Sequence, residues 1–204
     1  MNDNNRIKAL ILKVIDTLLK LLTIGTIIFI VSCEESLGDE YESFLIPKGQ
    51  HKVAIPKMQA LQSRTLAFKA LFDNSAIYET NMVENQHDIN KLMGFADCNA
   101  HHHDNSARFG WRWLDGKLQI HAYVYNNGIR TSSYIGDVSL NKSYIYDLSF
   151  NDEFYIFSLE GSEPIYMTRT KSCNRGIYYM LFPYFGGDET APHDIFISIE
   201  QTSF

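Results

Sequence analysis

One predicted hairpin gathers side chains that could bind or process an anionic ligand. Asp115-Gly116 joins residues 107–114 to residues 117–125, and Asp-Gly favours a two-residue turn with positive φ at both positions. Such a turn fixes the register, so Arg112 lies opposite Gln119. Side chains alternate across a strand, which assigns every residue to one of two faces. One face carries Arg108, Arg112, Gln119, His121, Tyr123 and Tyr125.

Two details complete this face. Gly110 leaves a gap opposite His121, and a second two-residue turn at Asn127-Gly128 would place Arg130 opposite Tyr125. The opposite face is apolar and is therefore the predicted core face: Phe109, Trp111, Trp113, Leu118, Ile120, Ala122 and Val124.

The polar face is cationic and aromatic, although the chain has a net charge of −6. Tyrosine rings stack on sugar rings, while Arg and Gln pair with carboxylates and hydroxyls. We therefore predict an open groove for an anionic carbohydrate. The alternative is an ordinary outer face whose arginines form weak surface ion pairs with nearby carboxylates.

A short motif on this face resembles a known family. Gln119-Ile120-His121 is similar to the Gln-Ile-His motif of jelly-roll alginate lyases. The resemblance implies that Arg112 and Gln119 neutralise a uronate carboxylate, and that His121 transfers protons together with Tyr184 or Tyr123. The chain would then be a polysaccharide lyase that cleaves a uronate polymer by β-elimination.

Two other motifs of those lyases are matched incompletely. Ser106-Ala107-Arg108-Phe109 stands in place of the Arg-Ser/Thr-Glu-Leu motif, and only Tyr184-Phe185 matches the Tyr-Phe-Lys strand. These incomplete matches put the lyase assignment in question, because a lyase needs catalytic groups in addition. A binding module needs only the stacking and charged groups. We therefore expect carbohydrate binding first, a lyase second, and third a structural or adhesive envelope protein that binds another protein.

The remainder of the domain reads as strands separated by turns. Aromatic and β-branched residues alternate with polar ones, and no long amphipathic helix follows residue 50. This pattern predicts an all-β fold, an antiparallel β-sandwich. The segment 184–199 resembles the jelly roll of concanavalin-like lectins and glucanases. Expected strands are 52–55, 66–72, 91–96, 107–114, 117–125, 144–150, 153–159, 177–185 and 195–200.

Two clusters outside the hairpin contain potential metal ligands. His101, His102 and His103 are adjacent, but alternation allows at most two of them to share an ion, so we interpret them as a polar loop bordering the groove. Asp188, Glu189 and Asp194 offer oxygen ligands for a structural calcium ion, or they belong to a solvated loop. The predicted function requires no cofactor.

The N-terminus predicts export and a lipid anchor. A basic leader and an apolar run end in Ile30-Val31-Ser32-Cys33, which resembles the lipobox of bacterial lipoproteins. We expect a signal peptide over 1–32, a lipidated Cys33, an acidic tether over 33–50 and one domain over 51–204. The alternative is a transmembrane anchor ending at Cys33. The implied location is the cell envelope, on the outer membrane and facing the cell surface.

The other cysteines and the charge limit the remaining choices. Cys98 and Cys173 are expected to form a disulfide in an exported protein, the alternative being two buried thiols. An acidic chain argues against nucleic acid as a partner. The chain contains no Ser-His-Asp signature, Walker loop or dinucleotide fingerprint, and the cationic face lacks the carboxylate pair of a glycosidase.

Overall fold

The structure is a computed structural model that describes Lys13 and residues 41–170, Cys173 and residues 176–202. The predicted signal peptide (apart from Lys13), Cys33 and the first part of the predicted tether lie outside the described residues. Within the described part, no helix has the length and apolar character needed to cross a membrane.

Two six-stranded antiparallel sheets form the domain, which confirms the predicted all-β jelly-roll sandwich. Two short 3₁₀ helices, Asn74–Ala76 and Val83–His87, interrupt the strands. Sheet A has the order β1 (Glu42–Ile46), β12 (Ile195–Thr202), β3 (Thr65–Phe72), β8 (Tyr144–Phe150), β9 (Phe154–Leu159) and β10 (Ile165–Thr168). Sheet B has the order β2 (Ala60–Leu61), β11 (Tyr178–Leu181), β4 (Asn90–Ala96), β5 (Ser106–Leu114), β6 (Lys117–Asn126) and β7 (Ile129–Val138).

The two predicted turns hold strands β5, β6 and β7 in the expected register. Asp115 and Gly116 have φ values of 52° and 72°, and the turn at Asn127-Gly128 has φ values of 49° and 79°. Positive φ at both positions matches the right-handed twist of the flanking strands. Arg112 therefore pairs with Gln119, and Arg130 with Tyr125, as the sequence predicts.

The core lies between the sheets and is rich in aromatic rings. The predicted core face of β5 and β6 is buried, except that Trp113 is only partly covered. Phe109 of sheet B packs against Phe157 and Tyr146 of sheet A, at ring-centroid distances of 5.2 and 5.1 Å. Burying each such ring contributes roughly 1.5–3 kcal/mol, so this layer holds sheet B against sheet A.

Three sequence-based boundaries are wrong. The predicted tether contains β1, which pairs with β12, and the compact unit begins at Tyr41 instead of residue 51. The signal was the apolar run of Phe44, Leu45 and Ile46, of which Phe44 and Ile46 are buried. The predicted strand 52–55 is only an isolated bridge between Lys52 and Tyr184. The predicted strand 177–185 is reduced to β11, since the chain leaves the ladder after residue 181.

A buried polar network secures the end of sheet B next to the polar face. Asp97 accepts hydrogen bonds from Arg169 Nε at 2.8 Å and Arg169 Nη2 at 2.9 Å, and the Tyr155 hydroxyl also donates to it. The neighbouring Cys98 is joined to Cys173 by a disulfide, with a Cα–Cα distance of 6.0 Å. Both links fix the start of the loop that carries His101–His103.

Candidate functional site

The free face of sheet B contains a cleft of about 400 Å³, which we call the basic cleft. It draws on strands β4 to β7 and on three connecting segments that meet above them. Its lining residues are Lys52, Lys91, His102, His103, Arg108, Tyr123, Tyr125, Arg130, Tyr184, Gly187 and Asp188.

Arg108 lies at the floor of the cleft and is 6% exposed. Its Nε atom is buried and has no hydrogen-bond partner among the described residues. Burial is the main cause that lowers the pKa of Arg108, and nearby tyrosine hydroxyls partly oppose it. The guanidinium is therefore a buried cation with no counter-ion among the residues that the structure describes, an arrangement that is unfavourable unless a ligand supplies the negative charge.

Lys91 extends from β4 into the same space. Its ammonium lies 5.0 Å from the ring centroid of Tyr123 and 5.9 Å from that of Tyr184. Burial, followed by the charges of Arg108 and Arg130, lowers the pKa of Lys91 to about 8. Tyr184 reaches this position because its backbone bonds Lys91 in both directions, at 2.8 and 3.0 Å.

A glycine makes room for this lysine. A Cβ atom at Gly186 would lie 2.2 Å from Lys91 Nζ and 2.6 Å from the Ile89 carbonyl oxygen. Gly186 N also donates to Asn90 Oδ1 at 2.7 Å, which fixes the segment against β4. The absence of a side chain at Gly186 therefore leaves the space that the Lys91 ammonium occupies.

Tyr123 stands at the centre of the cleft, beside Tyr125 at a ring-centroid distance of 5.8 Å. Burial is the largest cause that raises the pKa of Tyr123 to about 12, and Tyr125 adds to it. The exposed Arg130 guanidinium lies at the Tyr123 hydroxyl and acts in the opposite direction. Tyr123 is consequently a neutral hydroxyl donor surrounded by cations.

The cations that line the cleft outnumber the nearby carboxylates, of which Asp88 acts on Lys91. Within the part of the chain that the structure describes, none of Lys52, Lys91, Arg108 and Arg130 forms an ion pair with a carboxylate. Asp188 is the acidic residue in the lining. The predicted alternative, an outer face of paired arginines, therefore does not describe this region.

The three adjacent histidines border the mouth of the cleft. The His102 ring lies 4.3 Å from both the His101 and His103 rings, and the His103 ring lies 5.4 Å from that of Tyr125. Burial and the charge of Arg108 lower the pKa of His102 to about 4, so this imidazole is neutral at pH 7. No group of three potential metal ligands converges among the described residues, here or elsewhere.

His121 does not line the basic cleft, contrary to the predicted continuous groove. The gap at Gly110 is filled by Ile89, whose Cγ2 lies 2.3 Å from where a Cβ would stand. Tyr134 covers the other side, with its ring centroid 5.7 Å from that of His121. His121 is 5% exposed, its Nε2 has no partner among the described residues, and burial lowers its pKa to about 4.

The covered His121 lies in the register between Tyr123, which lines the cleft, and the pair of Arg112 and Gln119. Arg112 Nε donates to Gln119 Oε1 at 2.8 Å, and Arg112 Nη1 donates to the His87 carbonyl at 2.7 Å. The predicted pair is therefore formed, but it occupies a separate part of the face. Of the four residues assigned to a lyase, only Tyr184 lines the cleft.

The three carboxylates predicted to bind calcium do not form one site. Glu189 accepts hydrogen bonds from the backbone of Asn81 and Met82 and from the Asn85 amide, each at 2.8 or 2.9 Å. Asp194 accepts from Lys48 N at 2.8 Å. Glu189 instead fastens the loop before Val83–His87, so the calcium prediction is wrong for this set of residues.

Sequence reasoning missed Lys52 and Lys91, whereas it had interpreted the adjacent histidines, two of which line the cleft, as a polar loop bordering the groove. The available signal was Lys91, the single cation in the largely apolar strand β4. Lys52 could not be found in this way, because only the bridge to Tyr184 brings it to the cleft.

Comparisons with known proteins bear on the fold. No protein-family model and no curated protein sequence matches the chain. Among solved structures, alginate lyase AlyC3 is 12% identical with a TM-score of 0.57, over 80% of this chain and 74% of that one. AlyC3 in complex with dimannuronate gives 11% identity and a TM-score of 0.53, over 81% and 76%.

A third similar structure is the catalytic domain of a laminarinase, an endo-1,3-β-glucanase from Thermotoga petrophila RKU-1. It is 8% identical with a TM-score of 0.50, over 79% of this chain and 75% of that one. At such low identity the likeness extends to the architecture alone, and the chain shares the jelly-roll fold of these enzymes.

Proposed function

We propose that this protein binds an acidic polysaccharide in the basic cleft. The observation that carries the proposal is Arg108 at the floor of a cleft that also contains Lys91 and Arg130. Its buried guanidinium has no carboxylate partner in the described part of the chain. The similar fold of AlyC3, which is described in complex with dimannuronate, supports a carbohydrate ligand.

The chemistry of the lining suits such a ligand. Tyrosine rings provide flat apolar surfaces for sugar rings, and their hydroxyls provide polar contacts. Charge-assisted hydrogen bonds to a guanidinium contribute about 1.5–3 kcal/mol each, more than neutral ones. A bound anion would also relieve the repulsion among the cations, so binding should weaken as salt rises.

The proposal is tested with the purified full chain and a pair of polysaccharides that share a backbone and differ only in charge. The charged polymer should bind and the neutral one should not. Arg130→Gln should weaken binding by roughly tenfold, since it removes one charge-assisted contact from an exposed side chain. Arg64→Gln, an exposed arginine that packs on Phe150 outside the cleft, is the matched control. Equal binding of both polymers, or no effect of Arg130→Gln, would contradict the proposal.

A uronate lyase is the second candidate, and the hydrogen-bonded pair of Arg112 and Gln119 is the observation that favours it. The covered position of His121 weighs against it. An ultraviolet assay for unsaturated products decides between the two. In a lyase, His121→Ala should abolish turnover and spare much of the binding, because proton transfer matters only in the transition state.

The lipid anchor at Cys33 completes the proposed role. Attachment to the outer membrane, facing the cell surface, would expose the cleft to extracellular or envelope polysaccharides. The predicted lipobox supports this location.

A further inference from the structure

Three cations from three different strands line the basic cleft together with Tyr123. Lys91 of β4 lies over the Tyr123 ring, Arg108 of β5 is buried on the strand opposite Tyr123, and Arg130 of β7 lies at its hydroxyl. Lys91, Arg108 and Arg130 all line the same cleft of about 400 Å³. The charges of Arg108 and Arg130 lower the pKa of Lys91, and Asp88 opposes them. Tyr123 itself adds a neutral O–H donor.

Two carboxylates elsewhere in the described chain, Asp97 and Glu189, are held by one cation or by none. Arg169 alone grips Asp97 through two nitrogen donors, at 2.8 and 2.9 Å, in the planar fork that suits a carboxylate. Glu189 is held by amide and backbone donors, with no cation among its hydrogen-bond partners in the described part of the chain. Three convergent cations exceed what one planar carboxylate requires.

The donors of the cleft also differ in shape from a carboxylate clamp. Lys91 contributes a compact point charge instead of a second planar fork. Donors on three strands approach from different directions, whereas the two oxygens of a carboxylate lie in one plane. A sulfate or phosphate monoester presents three terminal oxygens arranged around a tetrahedral centre, and each oxygen could face one cation.

We propose that the basic cleft selects sugars carrying a tetrahedral oxyanion ester, sulfate or phosphate, over sugars carrying a carboxylate. This inference rests on the proposed function, because it specifies which acidic polysaccharide the cleft receives. Arg108 provides the buried contact, and Lys91 and Arg130 distinguish the tetrahedral group from the planar one.

The test uses one glucan backbone with different substituents at matched charge density. Binding of the full chain to dextran, carboxymethyl dextran, dextran sulfate and dextran phosphate is measured at fixed salt. We expect a sulfated or phosphorylated polymer to bind roughly tenfold or more tighter than the carboxymethyl polymer, the effect of at least one extra charge-assisted hydrogen bond. The relative affinities of the sulfate and phosphate polymers identify the preferred ester.

Substitutions of single cations test which residues produce the preference for an ester. Arg130→Gln should reduce the preference for the ester over the carboxylate. Because Arg130 is exposed, this substitution should leave the fold intact. Lys91→Gln should do the same, while Lys142→Gln, on an exposed lysine that packs over Tyr144 outside the cleft, should leave the preference unchanged.

The outcomes separate this inference from the proposed function. If carboxymethyl dextran binds as tightly as the esters, the inference is overturned and the acidic-polysaccharide proposal stands. If the preference is present but unaffected by Arg130→Gln and Lys91→Gln, the inference is also overturned. If none of the charged dextrans binds better than dextran, the proposed function itself is contradicted.

Discussion

Replacing Arg108 with methionine should separate stability from binding. The side chain is 6% exposed and carries a charge that no carboxylate of the described residues neutralises. Well-packed apolar residues often replace buried charged groups with a gain of about 1–4 kcal/mol. Because the cleft is partly open to water, we expect Arg108→Met to stabilise the unliganded protein by roughly 1–2 kcal/mol. For a domain of this size that raises Tm by about 2–8 °C.

The same substitution should weaken binding of an acidic polysaccharide by one to two orders of magnitude, since it removes a charge-assisted contact of about 1.5–3 kcal/mol. Urea unfolding with and without ligand measures both effects on one sample. Arg169→Met is the contrasting variant, because it would leave Asp97 buried without its partner and should be strongly destabilising. A variant at Arg108 that is less stable than wild type and binds normally would refute the reasoning.

Three further expectations concern other parts of the molecule. Reducing the disulfide between Cys98 and Cys173, which closes a loop with a sequence separation of 75 residues, should lower the unfolding free energy by roughly 4 kcal/mol in the loop-entropy model. Thiol counting on denatured, unreduced protein should find neither cysteine free, and two free thiols would exclude the bridge. Burial lowers the pKa of His121 to about 4 in the folded state, from about 6.5 when unfolded, so the unfolded state binds more protons between these values. Stability should therefore fall as the pH drops through that window, and His121→Gln should flatten the slope of unfolding free energy against pH; an unchanged slope would contradict the assigned burial. Cys33→Ala should abolish incorporation of a labelled lipid precursor in cells, and equal labelling would contradict the lipoprotein prediction.

The sequence was sufficient where short-range rules govern the structure. The turns at Asp115-Gly116 and Asn127-Gly128 require positive φ, and this requirement determined the pairing of β5, β6 and β7. Alternation then assigned Arg108 and Tyr123 to one face and Trp111 to the other, as the structure confirms. Local geometry therefore predicted which side chains share a face.

What lies on top of that face depends on distant segments and could not be predicted locally. Ile89 reaches the gap at Gly110 because the segment around Val83–His87 folds over β5. Tyr134 covers His121 because an irregularity in the pairing of β6 and β7 shifts the register there. Gln119 and His121 therefore have the predicted strand register, but tertiary packing decides whether His121 is accessible.

The error at the N-terminal edge of the domain has a different cause. The acidic residues before Glu42 dominated the composition of the predicted tether, and composition favoured a solvated segment. Two buried side chains, Phe44 and Ile46, are enough to attach β1 to sheet A because β12 supplies a complete hydrogen-bonding partner. The apolar run of Phe44, Leu45 and Ile46 was the better guide.

The most direct test of the acidic-polysaccharide proposal is protection of Lys91 from an amine-reactive reagent. Its pKa is lowered to about 8, so an appreciable fraction of the amine is uncharged and reactive at mildly alkaline pH. Lys142 lies 4.7 Å from the ring centroid of Tyr144, outside the cleft, and is the internal control. Mass spectrometry of the modified full chain should show that a charged polysaccharide slows modification of Lys91 and leaves Lys142 unaffected, whereas the neutral polymer protects neither. Equal modification of Lys91 with and without a bound acidic polysaccharide would show that the ligand does not occupy the basic cleft.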